Sequence, residues 1–224
     1  EYRGYDSSGI ATINNNEFNC KKNVGKIFNL RKQIKNKKIE GNISIGHTRW
    51  ATHGKASIKN AHPFVKDNCV LVHNGIIENY EQLIKNYSVN KKNIKSETDS
   101  EIISEIYNKL LNKFNNPIDA IKDLNKKIIG SFAFAFLVKG SDSIYATRRG
   151  SPLVLGISDN FNAISSDVLG LPDNTNQIIF LEENDIASIS KNKVIIYNKK
   201  GNTVVRQKHK YIPRKDFKIK GNFK

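Results

Sequence analysis

The sequence predicts a layered α+β domain. Runs with strand period occupy both ends of the chain and helical period fills the middle. The two do not alternate regularly, which disfavours a doubly wound parallel sheet. Apolar residues make up 38% of the 224, with 11 Phe and 8 Tyr, enough to fill one large core.

The elements follow in chain order. Residues 8–13 and 17–24 are apolar-alternating runs joined by Asn14-Asn15-Asn16, the pattern of a β-hairpin. After Gly25, the side chains Ile27, Leu30 and Ile34 share one stripe of a helix over 26–36. Residues 43–48 read as a strand, and 49–63, rich in Gly, Ala and His, as a functional loop. Residues 69–73 read as a buried strand ending at Asn74-Gly75, with a helix over 76–86. Thr98 and Glu101 have capping-box spacing, and Ile102, Ile103, Ile106, Leu110 and Phe114 then recur at helical intervals. A second helix follows Pro117, with Ile118, Ile121 and Leu124 in register. Beyond Gly130 the period returns to strand over 131–138, 143–146, 153–156, 161–165, 177–181, 185–190 and 193–197. No repeat or flexible linker precedes residue 205, and the polar tail from Arg206 is expected to be irregular.

A net charge of +16 raises nucleic-acid binding first. The lysines are scattered among asparagines, however, and the basic clusters at 31–38 and 91–95 contain no aromatic residue. The third cluster, 208–220, has only Tyr211 and Phe217, and none matches a nucleic-acid motif. A bias toward Lys, Asn and Ile explains the charge more simply, so no nucleic-acid partner is expected. No apolar run approaches the roughly 20 residues that span a bilayer, and the first residues lack a signal-peptide pattern. Cys20 and Cys69 have no metal-ligand spacing, which suits a reducing cytoplasm and predicts neither metal nor cofactor. Either thiol could serve as a nucleophile, but a small buried apolar role is the commoner one. A start at Glu1 with no Met in the chain, and an end, PRKDFKIKGNFK, without a closing element such as a capped helix, suggest truncation at both ends.

Four segments carry chemistry: EYRGYDSSG (1–9), HTRWATHG (47–54) followed by Asn60-Ala61-His62-Pro63, HNGIIEN (73–79) and SETDSE (96–101). The Arg49 guanidinium, at a strand end with Trp50, Thr52 and His53, can grip a carboxylate with two hydrogen bonds. A surface arginine is the plainer alternative. Asn74 and Gly75 offer a side-chain amide and an unhindered backbone N–H, the donors an oxyanion hole needs. Alone, an Asn-Gly pair is more often just a turn. Asp99, in the first turn of a helix, could receive an ammonium or merely favour the helix dipole. Together these groups would make a receptor for an α-amino acid with a reacting side-chain carbonyl.

RGYDS, HTRWATHG, HNGIIEN, SETDSE, RRGSPLVLG (148–156) and IFLEENDIA (179–187) resemble the class II glutamine amidotransferases, in the wording of those that aminate fructose 6-phosphate. The likeness runs over about residues 1–210 and consists of several long motifs in one order. It implies the N-terminal-nucleophile fold, a four-layer αββα sandwich, here missing its first strand and helix. It implies a glutaminase domain over 1–205, with 206–224 starting a linker to an absent sugar-isomerase half. It assigns L-glutamine binding to Arg49, Trp50, Thr52, His53, Gly75 and Asp99, and the oxyanion hole to Asn74 and Gly75. Arg3 and His62 would support the site. The family's nucleophile, an N-terminal cysteine with its own α-amino group as base, has no counterpart in Cys20 or Cys69. The resemblance further implies fructose 6-phosphate as acceptor in the full-length protein, glucosamine 6-phosphate and glutamate as products, and a homodimer. Two alternatives remain: another class II enzyme, such as a phosphoribosyl-pyrophosphate amidotransferase, or a catalytically dead glutamine-binding module.

Overall fold

A computed structural model of the chain describes residues 4, 6–50 and 54–212. The expected hairpin forms from β1 (Ser7–Asn14) and β2 (Glu17–Val24), turning at Asn15 and Asn16. Both turn residues have positive φ, which asparagine tolerates better than most. Helix α1 (Ile27–Asn36) buries Leu30 and packs on this hairpin. Strand β3 (Ile43–Arg49) pairs antiparallel with β1, placing Arg49 opposite Ser7 and His47 opposite Gly9. These form a three-stranded sheet in the order β2-β1-β3.

Next come β4 (Phe64–Val65), β5 (Cys69–Ile77), and the helices α2 (Tyr80–Asn86), α3 (Asp99–Phe114) and α4 (Pro117–Lys127). The strands β6 (Gly130–Val138), β7 (Ile144–Arg149), β8 (Val154–Ile157), β9 (Asn162–Ser165) and β10 (Gln177–Phe180) follow. The last are β11 (Ile186–Ile189), β12 (Val194–Tyr197), β13 (Thr203–Val204) and β14 (His209–Lys210). One antiparallel sheet of seven strands runs β13-β12-β11-β7-β6-β5-β4, and a four-stranded sheet runs β14-β10-β8-β9.

Helix starts follow from their caps. The Thr98 hydroxyl accepts the Glu101 N–H to open α3. The Glu101 carboxylate then accepts the N–H groups of Lys95 and Ser96, not that of Thr98 as a strict capping box would have it. The Asn116 side chain caps α4 by accepting from Ile118 and Asp119, with Pro117 where its missing N–H costs nothing.

Packing sorts along β6, whose sequence Phe-Ala-Phe-Ala-Phe alternates across the sheet. Phe132, Phe134 and Phe136 join Ile103, Ile106, Leu110, Ile121 and Leu124 under the helices. Ala133 and Ala135 face the other way, into a second core with Ala11, Ile45, Leu155 and Ile179 from the two smaller sheets. Helices, sheet, sheets and α1 thus make the four-layer αββα sandwich.

Between the layers lies an open cavity of about 1360 Å³. It runs along all of β3 and all of β9. Each of these strands is the terminal strand of its sheet among the described residues, so two strand edges border the same space.

Three expectations need correction. Asn74-Gly75 does not end its strand: β5 continues to Ile77 and stays paired with β6 through Gly130. The next helix therefore begins at Tyr80 rather than at 76. The tail is not irregular from Arg206, because β14 pairs with β10 and the Tyr211 hydroxyl donates to the Val168 carbonyl. The Arg206 guanidinium also holds Asp185 through two bonds of 2.9 and 2.8 Å.

Candidate active site

Strand period explains which side chains of β3 meet the cavity together: Ile43, Ile45, His47 and Arg49 share a face. Arg49 is buried, with its Nη1 3.9 Å from Asp6 Oδ1, and it lines the cavity. Trp50 follows at the rim, 59% exposed.

From the other side β5 brings Asn74 and Gly75. Gly75 has φ +129, and a Cβ there would sit 2.1 Å from the Ser131 carbonyl oxygen. Only glycine lets β5 press this closely on β6 with its backbone turned as it is. Asn74 presents its Oδ1 2.8 Å from His47 Nε2.

Helix α3 brings Asp99. Its Oδ2 accepts the Ile77 N–H at 2.8 Å, tying the helix start to the end of β5. Its Oδ1 accepts the Ser100 hydroxyl and lies 3.9 Å from His73 Nδ1. The side chain keeps 22% exposure toward the cavity, so the carboxylate is fixed yet reachable.

Three histidines stand behind these groups. His73 is buried against Phe134, its Nδ1 2.9 Å from Ser100 Oγ. His62 lies against His47 with ring centres 4.3 Å apart and planes tilted by 38°, and neither of its ring nitrogens has a hydrogen-bond partner among the described residues. Burial is the first cause holding all three below the usual imidazole range: His47 lowered, His62 well below, His73 down to about 4. They are neutral at physiological pH.

The fold thus brings Arg49, Trp50, His62, Asn74, Gly75 and Asp99, spread over three expected segments, around one cavity. Arg3, Thr52 and His53 lie outside the described residues. Neither cysteine lines the cavity. Cys69 is fully buried with its thiol pushed far up by desolvation, and burial raises Cys20 too. Sequence reading missed His47, His73 and Ser100. Period-2 spacing of His47 with Arg49 was the available signal for the first. No group of three metal-binding side chains occurs among the described residues, and no described helix is long and apolar enough to cross a membrane.

The chain is similar to several known proteins. Curated relatives include glutamine–fructose-6-phosphate aminotransferases (isomerizing). That of Bradyrhizobium diazoefficiens is 36% identical over 225 residues, and that of Francisella tularensis 43% over 204. The matches cover 100% and 90% of this chain but 37% and 33% of the relatives, so the chain spans about a third of their length. Among solved structures, the glutamine phosphoribosylpyrophosphate amidotransferase of B. subtilis superposes with TM-score 0.65 at 19% identity, over 92% of this chain and 43% of that one. A Pseudomonas aeruginosa protein described as a predicted glutamine amidotransferase gives 0.60 at 16%, over 84% and 86%. These likenesses show a shared fold of the N-terminal-nucleophile type. A family profile described as a glutamine amidotransferase domain matches residues 47–171, more than half of the chain, and with the cavity built as above the chain belongs to the class II glutamine amidotransferase family.

Proposed function

We propose that this domain binds L-glutamine in the cavity and releases its amide nitrogen, which the full-length protein passes to fructose 6-phosphate, giving glucosamine 6-phosphate and glutamate. The observation that carries the reading is the convergence of Arg49, Asn74, Gly75 and Asp99 on one cavity. Arg49 takes the α-carboxylate and Asp99 the α-ammonium, leaving the side-chain amide to reach Asn74 and Gly75. The Asn74 Nδ2–H and the Gly75 N–H then stabilise the oxyanion that forms when a thiolate adds to the amide carbon. Collapse of that adduct, with the proton that the nucleophile's α-amino group took from the thiol passed to the nitrogen, breaks the C–N bond, releases ammonia and leaves a glutamyl thioester for water to cleave. Trp50, at the rim, belongs to a closing loop that keeps water from the thioester until then, and Thr52 and His53 add contacts to glutamine. His62 supports the site from behind His47, and Arg3 is assigned a supporting role with it.

The thiolate comes from neither Cys20 nor Cys69, whose burial keeps them protonated. We assign it to the first residue of an extended segment lying between β3 and β9. Two strand edges facing one space, floored by the small side chains Ala133 and Ala135, support that placement. Fructose 6-phosphate as acceptor rests on the named activity of the curated relatives, and residues past 205 would lead toward the part that binds it.

Steady-state kinetics of the domain joined to its nucleophile test the reading. The α-carboxylate has one charge in ground and transition states, so Arg49→Ala should raise the glutamine KM with a smaller effect on kcat. The carbonyl oxygen gains charge only in the transition state, so Asn74→Ala should lower kcat by about 10²–10³. A change confined to KM in Asn74→Ala would remove it from the oxyanion hole.

A further inference from the structure

We infer that His47 is a positioning residue for the oxyanion hole: its Nε2–H donates to Asn74 Oδ1 and thereby holds the Asn74 amide with its Nδ2–H toward the reacting carbonyl. The inference rests on the assignment of Asn74 to the oxyanion hole. An asparagine amide can turn end for end with almost no change of shape. One orientation offers the cavity an N–H, and the other offers a lone pair that would repel a forming oxyanion. Something must therefore choose between them, and the group within reach is His47, with its Nε2 2.8 Å from Oδ1.

The imidazole is well placed to choose. Buried, it stays neutral and carries a single ring N–H. Placing that proton on Nε2 leaves Nδ1, which makes no hydrogen bond of good geometry among the described residues, as a bare acceptor, although the His73 backbone carbonyl also favours an N–H on this ring. An unpaired acceptor is a commoner and cheaper defect than an orphaned N–H. The ring itself cannot easily turn away, because the His62 ring packs against it at 4.3 Å. His62 gets that close because residue 9, opposite His47 on β1, is glycine: a Cβ there would lie 2.1 Å from the His62 carbonyl oxygen.

Two measurements decide the matter. On this chain, labelled for NMR, His47 Nε2 should be protonated and should show through-hydrogen-bond coupling to Asn74 Cγ. A bare Nε2 accepting from Asn74 Nδ2 would overturn the inference. In the domain joined to its nucleophile, His47→Phe keeps the ring contact but removes the donor. It should lower kcat by about 10²–10³ with the glutamine KM unchanged, and His47→Phe with Asn74→Ala should be no worse than Asn74→Ala alone. His47→Gln, which restores an N–H, should recover most of the loss. Additive losses in the double variant, or a Gln variant as impaired as Phe, would sink the inference. Should His47→Phe fail to fold, the Gln variant and the coupling still decide. An Asn74→Ala enzyme with normal kcat would instead bring down the oxyanion assignment, whatever the coupling shows.

Discussion

On its helical side the seven-stranded sheet presents Phe132, Phe134 and Phe136, while on its other side the same strand presents Ala133 and Ala135. The helical face is filled to completion: Phe134 is wholly buried, with ring centres 4.7 Å from Phe132 and 4.8 Å from His73. On the opposite face β6 offers Ala133 and Ala135 before Leu137, and the cavity lies against these two small side chains. One strand thus does two jobs by alternation. The period that puts bulk under the helices withholds it where a ligand must fit, so stability and binding are written on opposite sides of the same residues.

The largest expected effect tests the filled face. Phe134→Ala should cost about 3–5 kcal/mol, by lost transfer energy and an unhealed void among aromatic neighbours. Chemical denaturation gives the number, and a loss below about 1 kcal/mol would mean that this face is not close-packed. The second effect concerns the polar cluster behind the site. His47, His62 and His73 all have folded-state pKa values below the ordinary 6.5, so below that pH the unfolded chain binds protons that the folded one does not. Stability should be flat above about pH 7 and fall as the pH drops from about 6.5 toward 4, by up to about 1.4 kcal/mol per pH unit for each histidine. Urea titrations at several pH values would show it, and a level curve across that window would refute the buried neutral state. Phe134→Ala should lower the whole curve and also flatten it by part of one histidine's share, since Phe134 is a wall of the site that buries His73. The smallest effect belongs to the other face: Ala135→Val should change stability by less than about 1 kcal/mol, since Ala135, though part of the second core, also lines the cavity, which leaves room for the added methyl groups. A cost near that of Phe134→Ala would abolish the contrast between the two faces.

Much of this was legible in the sequence because local rules governed it. The α3 start at Thr98, the α4 start at Pro117 and the seven strands beyond Gly130 follow from capping and period alone. The Asn-Gly pair misled because those residues usually turn the chain. Here Gly75 uses its positive φ inside a continuing strand, a choice dictated by the approach of β6, far along the chain, with Gly75 opposite Phe132 and Ile77 opposite Gly130. β13 and β14 escaped notice because two-residue strands carry no period. The candidate residues could be named one by one, yet their convergence could not, since Arg49, Asn74 and Asp99 meet only through sheet and helix packing. His47 was passed over for a related reason: its importance lies in what it touches, 27 residues away.

The tail has a mechanical consequence. Arg206 is clamped to Asp185, β14 lies against β10, and Tyr211 donates its N–H to the Asn176 carbonyl. Tension applied beyond Ile212 is therefore borne first by the four-stranded sheet rather than by the seven-stranded one. The order of that sheet, β14-β10-β8-β9, makes it a tow line, with the pulled strand at one edge and β9, a wall of the cavity, at the other. A tug at the tail reaches the cavity wall through three strand-to-strand ladders.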